Sequence, residues 1–264
     1  MDVFNNNSIG VMDSGVGGLT VLKQLQAICP NENFLYFGDT KNLPYGEKTK
    51  EELIKIVKEI FDYFETQKVK AVVLACNTTS ATAYDELKDK YNFKIYPLIQ
   101  VVSKCLAMDN TIKRIGVMAT QATVNSKKYT SELVKNNSNI SVIEQACPLF
   151  VPIVEKQISA SNKEGIVKQY LTPVLKFNPD KIILGCTHYP YLLDDMAKFA
   201  TKNLFINPAE MFAKYIKDDL AESNLLSNLE YGTTNYFSSS NPEDFKRNAD
   251  LFLTLDKVPE LVNL

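Results

Sequence analysis

The feature that most limits what this chain can become is a strict alternation of short apolar runs with amphipathic stretches. The runs "IGVMD", "NFLYFGD", "KAVVLAC", "FKIYPLI", "RIGVM", "ISVIE" and "KIILGC" are rich in β-branched and aromatic residues. Each is bounded by turn residues or followed by a helical period, which is the pattern of repeated βαβ units. The runs are continuously apolar rather than alternating, as expected for parallel strands covered on both faces. One intervening helix can be checked residue by residue. Leu53, Val57, Ile60, Phe61 and Phe64 share a face, while Lys55, Lys58, Glu59 and Asp62 point the other way.

The pattern repeats within the chain. "IGVMDS" (Ile9 to Ser14) returns as "IGVMAT" (Ile115 to Thr120), and "VVLACNT" (Val72 to Thr78) returns as "IILGCTH" (Ile182 to His188). The two matches occur in the same order at nearly one offset, which suggests two similar halves, with chance likeness of strand and turn as the alternative. The predicted fold is α/β: two similar domains with mainly parallel sheets, related by a pseudo-twofold, with the active site at their interface. Residues 1–99 plus 208–264 are expected to form the first and 100–207 the second. "NPAEMFAKYIKDDL" and "NPEDFKRNADLFL" read as helices that return to the first domain. "NKEGIVKQYLTPVLKF" reads as a helix of the second.

Composition narrows the class of function. With 264 residues and 45% apolar content the chain can bury a large core, and its net charge of -2 gives no basic footprint for nucleic acid. The five cysteines, at 29, 76, 105, 147 and 186, are odd in number and scattered. That is not the framework of a secreted disulfide protein. The first ten residues lack a signal-peptide pattern, and nowhere do eighteen apolar residues run together. A cytoplasmic protein with reduced thiols, no membrane association and a small-molecule substrate is the expectation.

Two cysteines stand out. Cys76 and Cys186 hold equivalent places in the repeat, each directly after an apolar strand and before a helix, the end of an open parallel sheet where ligands bind. Two thiols facing one another across a cleft suit a reaction that takes a proton from one face of a carbon and returns one to the other. A thiol with an ordinary pKa near ~8.5 can be poised as either acid or base. Cys29 before Pro30, Cys105 in a helical stretch and Cys147 before Pro148 lack such pairing and read as structural.

The sole histidine, His188, stands two residues after Cys186. Asp13 closes the first strand and is the natural neighbour for Cys76, since its own repeat partner is Ala119. Asp13 is also readable as a helix cap. Gly15, Gly17 and Gly18 permit a close-approach turn whose N–H groups can hold an anion. Thr20 stands where a dinucleotide fingerprint needs glycine, and no GK[ST] follows, so a small carboxylate is the better-matched anion.

Taken together, "DSGVGG", "GDT" with "PYG", "ACNT", "PLFVPIVE" and "GCTHYP" occur in an order that closely resembles the glutamate racemases of the aspartate/glutamate racemase superfamily. The likeness spans Ile9 to Pro190 and continues plausibly to the C-terminus. It implies that Cys76 takes the α-proton from D-glutamate and Cys186 from L-glutamate, each returning a proton when the other removes one. By the same resemblance Asp13 and His188 assist Cys76 and Cys186 respectively, and Glu155 is a further carboxylate on the Cys186 side. Asp13, Ser14, Pro44, Tyr45, Gly46, Asn77, Thr78, Thr187 and His188 match substrate-binding positions, and Thr120 is added from the second half.

The resemblance further implies no cofactor, no metal, a homodimer, and D-glutamate supplied for bacterial peptidoglycan. One departure is visible: Lys41, Asn42 and Leu43 stand where the family more usually carries Ala-Arg and a third residue. Three other readings stay open on the sequence alone. They are a sister racemase acting on aspartate or another amino acid, a zinc site built from Cys76, Cys186 and His188, and an amino-acid-binding module without catalysis.

Overall fold

The structure, a computed structural model, describes residues 5–156 and 162–264. It divides into two compact units, one formed by residues 1–98 and 209–264 and the other by residues 99–208. Each unit is built on its own sheet, and every strand pair in both sheets is parallel.

The first unit holds β1 (Ile9–Asp13), β2 (Phe34–Gly38), β3 (Ala71–Leu74), β4 (Lys94–Pro97), β9 (Thr234–Ser238) and β10 (Glu260–Leu261), in the order β10-β9-β2-β1-β3-β4. The second holds β5 (Arg114–Ala119), β6 (Ser141–Ala146), β7 (Lys181–Gly185) and β8 (Phe205–Ile206), in the order β6-β5-β7-β8. Read in chain order, β2-β1-β3-β4 and β6-β5-β7-β8 are the same arrangement. The internal repeat is therefore carried by topology as well as by short sequence matches. All seven strand-like runs of the sequence are strands, although "FKIYPLI" is strand only to Pro97 and a helix occupies Leu98–Ala107.

The core of the first unit follows directly from the sequence pattern. The helix Lys50–Thr66 opens with a capping box, in which Thr49 and Glu52 satisfy each other's backbone N–H groups. Its face of Leu53, Val57, Ile60, Phe61 and Phe64 is buried against Val72, Leu74 and Phe37 of the sheet. Because β1 and β3 are wholly buried, their side chains serve packing. Chemistry is left to the residues where each strand ends.

The opposite, amino-terminal edge of this sheet carries a buried ion pair. Lys70, at the entry to β3, meets Glu32, at the entry to β2, and their side chains are 0% and 2% exposed. Lys70 also donates to the carbonyls of Asn5 and Leu225, and the second Glu32 oxygen accepts from the Ser227 N–H at 2.7 Å. Burial lowers the Lys70 pKa while Glu32 opposes that shift. The pair thus ties the returning C-terminal segment to the base of the sheet. Replacing Lys70 by Met leaves a buried carboxylate without its cation, so Lys70→Met is expected to lose about 3–5 kcal/mol of unfolding free energy in urea melts. A loss under about 1 kcal/mol would contradict this account of the segment's attachment.

Candidate active site

In a parallel sheet whose strand order reverses about β1, the ends of β1 and β3 flank the crevice where connections depart to opposite sides. The first unit places Asp13 at the end of β1 and Cys76 just past β3, at the start of the helix Asn77–Thr82. Cys76 is 7% exposed, and its thiol donates to the Ser14 hydroxyl at 3.8 Å. Asp13 is fully buried, and its Oδ2 accepts from the Gly15 N–H at 3.1 Å. The next helix runs Leu19–Ile28 with Gly18 as its cap residue and no side-chain cap bond. Asp13 thus bonds the backbone of the loop that leads into this helix.

The glycines make room for this loop. A Cβ on Gly18 would lie 2.4 Å from Asp13 Cβ and 2.8 Å from Tyr36 Oη, so only glycine lets the helix start against the carboxylate. A Cβ on Gly38 would lie 2.7 Å from the Gly15 carbonyl oxygen and 2.3 Å from the Phe245 ring. The close approach is that of protein against protein, and no described glycine has a positive φ.

Pro44, Tyr45 and Gly46 sit in the loop after β2, where the Leu43–Pro44 peptide is cis. Tyr45 is buried and donates its hydroxyl to Asp39 Oδ2 at 2.5 Å. Asp39 also accepts from Asn42 at 2.9 Å and from Ser239 at 2.6 Å. Asn42 thus has a definite place, its neutral amide serving that buried carboxylate. Burial, then the charge of Asp39, raises the Tyr45 phenol well above its ordinary pKa. Asn77 and Thr78 are both buried at the start of the helix beside Cys76.

In the second unit, Cys186 follows β7 as Cys76 follows β3, and it too is 7% exposed. His188 Nδ1 lies 3.8 Å from the Cys186 sulfur and 3.5 Å from the Thr187 hydroxyl. The other ring nitrogen, Nε2, is 2.8 Å from Glu155 Oε1. Glu155 closes the short helix Phe150–Val154, a place from which its side chain reaches across to the imidazole. Burial opposes charge on His188, yet its bonds to Cys186 and Glu155 outweigh burial and push its pKa up to about 10. Thr120 caps the helix Gln121–Ser126, accepting from the Thr123 N–H at 3.4 Å.

The structure therefore brings together Asp13, Ser14 and Cys76 in one unit, and Glu155, Cys186, Thr187 and His188 in the other. Two buried tyrosines accompany them that the sequence did not single out. Tyr36 feels the charges of Asp13 and Cys76, and Tyr129 those of Cys186 and Glu144; burial is the first cause of the raised pKa of each phenol. Each sits inside an apolar stretch, where a tyrosine reads as core. Among the described residues no group of three or more His, Cys, Asp or Glu could hold a metal ion, and no helix is long and apolar enough to cross a membrane.

Thiols at equivalent strand ends, each with its own proton-handling neighbours, are the side chains an α/β enzyme of acid–base chemistry would use. Comparison with known proteins agrees. The family model for Asp/Glu/Hydantoin racemase matches residues 9–216. The glutamate racemase of Thermoanaerobacter pseudethanolicus is 38% identical over 251 residues, covering 94% of each chain. The crystal structure of glutamate racemase from Francisella tularensis in complex with D-glutamate superposes with a TM-score of 0.90 at 34% identity, covering 98% of both chains. That of Thermus thermophilus in complex with β-chloro-D-alanine gives 0.89 at 32% identity, covering 100% of this chain and 99% of that one. The chain belongs to the Asp/Glu/hydantoin racemase family.

As the only histidine, His188 can be followed without assignment by its ring-proton NMR signals. Its folded pKa lies above the unfolded value of about 6.5. The stability this contributes is therefore complete below pH ~6.5 and is lost as pH rises through about 10. The ring signals are expected to titrate well above pH 7 in the wild type and to move to lower pH in Glu155→Gln. Titration near pH 6.5 in both proteins would contradict the ion pair.

Proposed function

We propose that the chain is a glutamate racemase that moves a proton at Cα with two thiols and no organic cofactor or metal. The observation that carries this reading is the equivalence of Cys76 and Cys186 at the ends of β3 and β7. Each has its own neighbours: Asp13 and Ser14 in one unit, His188 and Glu155 in the other.

In one direction the Cys186 thiolate takes the Cα proton of L-glutamate, the C–H bond pair stays on carbon, and the Cys76 S–H delivers its proton to the opposite face. The products are D-glutamate, a protonated Cys186 and a Cys76 thiolate. The return reaction starts from that state. His188, held charged by Glu155, faces the Cys186 sulfur and can exchange a proton with it, and Asp13 serves Cys76 in the same sense as acceptor or donor of a proton.

The barrier lies in the weak acidity of the Cα–H bond. It falls when fixed donors stabilise the charge that develops on the substrate carboxylate. Ser14, Asn77, Thr78, Thr120 and Thr187, with the N–H groups of the loop at Asp13 and of Tyr45 and Gly46, are the donors this sequence offers for both carboxylates. Buried surroundings strengthen each such bond.

The reading extends to setting. The relatives named above are bacterial glutamate racemases, and D-glutamate formed here would be used in peptidoglycan. The family likeness supports a cytoplasmic place of action and a homodimer.

Cys76→Ser and Cys186→Ser are each expected to cut racemisation of glutamate by at least ~10²-fold, the usual weight of a positioned acid or base. Cys147→Ser, a buried thiol bonded to the Gln145 carbonyl, is expected to stay within ~3-fold of wild type. Rates are read by circular dichroism from both enantiomers. Wild-type turnover in either strand-end variant contradicts the two-thiol assignment, and faster turnover of aspartate than of glutamate redirects the substrate.

A further inference from the structure

Tyr36 lies outside the set of residues assigned to substrate or proton transfer, yet it stands beside them. It is fully buried in β2, one strand away from β1, paired in register with Val11. Its hydroxyl donates to the Gly15 carbonyl at 2.8 Å. Gly15 belongs to the same loop as Asp13 and Ser14, and Ser14 accepts from the Cys76 thiol. The Phe245 ring packs beside Tyr36, with centroids 6.2 Å apart, and also closes on Gly38. Gly18 is constrained by Asp13 and the Tyr36 hydroxyl together.

The two halves differ at this point. Val117 is the repeat partner of Val11, and across from it in β6 stands Glu144, which accepts from the Thr130 N–H at 3.1 Å. At this register position the Cys76 side carries a phenol and the Cys186 side a carboxylate.

We propose that Tyr36 is a positioning residue for the Cys76 thiol, its hydroxyl fixing the Gly15 carbonyl and hence the loop that sets Ser14 and Asp13 against the sulfur. The proposal deepens the racemase reading and rests on it for its consequence in turnover, but the geometric part stands within one unit. Because the phenol is buried next to Asp13 and Cys76, it stays protonated and always donates. It orders the loop without itself exchanging a proton with substrate.

The test is Tyr36→Phe in the full chain, with Cys76 and Cys186 alkylation by iodoacetamide followed by mass spectrometry. Loss of the bond to Gly15, together with those the phenol oxygen accepts from the Gly18 and Leu19 N–H groups, is expected to loosen the loop and raise the Cys76 labelling rate about five- to tenfold, with Cys186 unchanged. In turnover, kcat/KM falls by a similar factor from both enantiomers, as an equilibrium constant of unity demands. The Cα-deuterium isotope effect is expected to grow from D-glutamate and shrink from L-glutamate.

Equal labelling changes at both cysteines, or none at Cys76, overturn the proposal. Isotope effects that move together from both enantiomers overturn it as well. If Cys76 labelling rises alone while even the wild type leaves glutamate unchanged, the positioning role stands and the racemase reading fails. Should Tyr36→Phe not fold, Phe245→Leu removes the supporting ring and keeps the phenol. The same one-sided labelling in weaker form is expected there, and unchanged labelling of Cys76 overturns the proposal.

Discussion

The parallel pairing of β1 with β3, and of β5 with β7, is the constraint on which both half-sites rest. Ile9 to Met12 run in register with Ala71 to Leu74, and Ile115 to Ala119 with Lys181 to Gly185. A one-residue slip would send every strand side chain to the other face and carry the cysteines off the strand ends. Continuous burial of these strands, with helices on the sheet faces, forbids such a slip. What the sheet cannot pack, it presents at its carboxyl edge.

From that shared frame the halves diverge chemically. The first supplies a carboxylate from β1, where the second has Ala119; the second supplies an imidazole two residues after its thiol, where the first has Thr78. The two halves thus surround equivalent cysteines with different proton-handling groups. The His188–Glu155 bond is the sharper of the two devices. It fixes one ring nitrogen and leaves the other toward Cys186 and Thr187.

Much of this was legible in the sequence because burial on both faces writes itself as continuous apolar runs. The seven early strands and the Leu53 to Phe64 face came out in this way. Strands β8, β9 and β10 did not. Two of them are two residues long, and "TNYFS" of β9 is half polar, since its Thr234 and Asn235 are only partly buried. Cys76, Cys186, Asp13 and His188 were visible through the repeat. Glu155 came through family likeness, because a carboxylate closing a one-turn helix has no local signature and gains meaning only from a partner 33 residues away. Tyr36 was hidden for the opposite reason: in "NFLYFGD" its ring satisfies the strand pattern, and its hydroxyl acts through a carbonyl that no motif marks. The "K41-N42-L43" departure likewise gains meaning only once Asn42 is seen donating to Asp39.

The central claim is that two distinct thiols serve the two faces of one carbon. It is tested most directly by early-time turnover of L-glutamate in D₂O with no added cofactor, reading deuterium at Cα separately in the substrate and product pools. The account predicts deuterium in D-glutamate while the remaining L-glutamate stays protiated. Equal deuterium in both pools from the first turnovers would show a single base exchanging with solvent, and would contradict it.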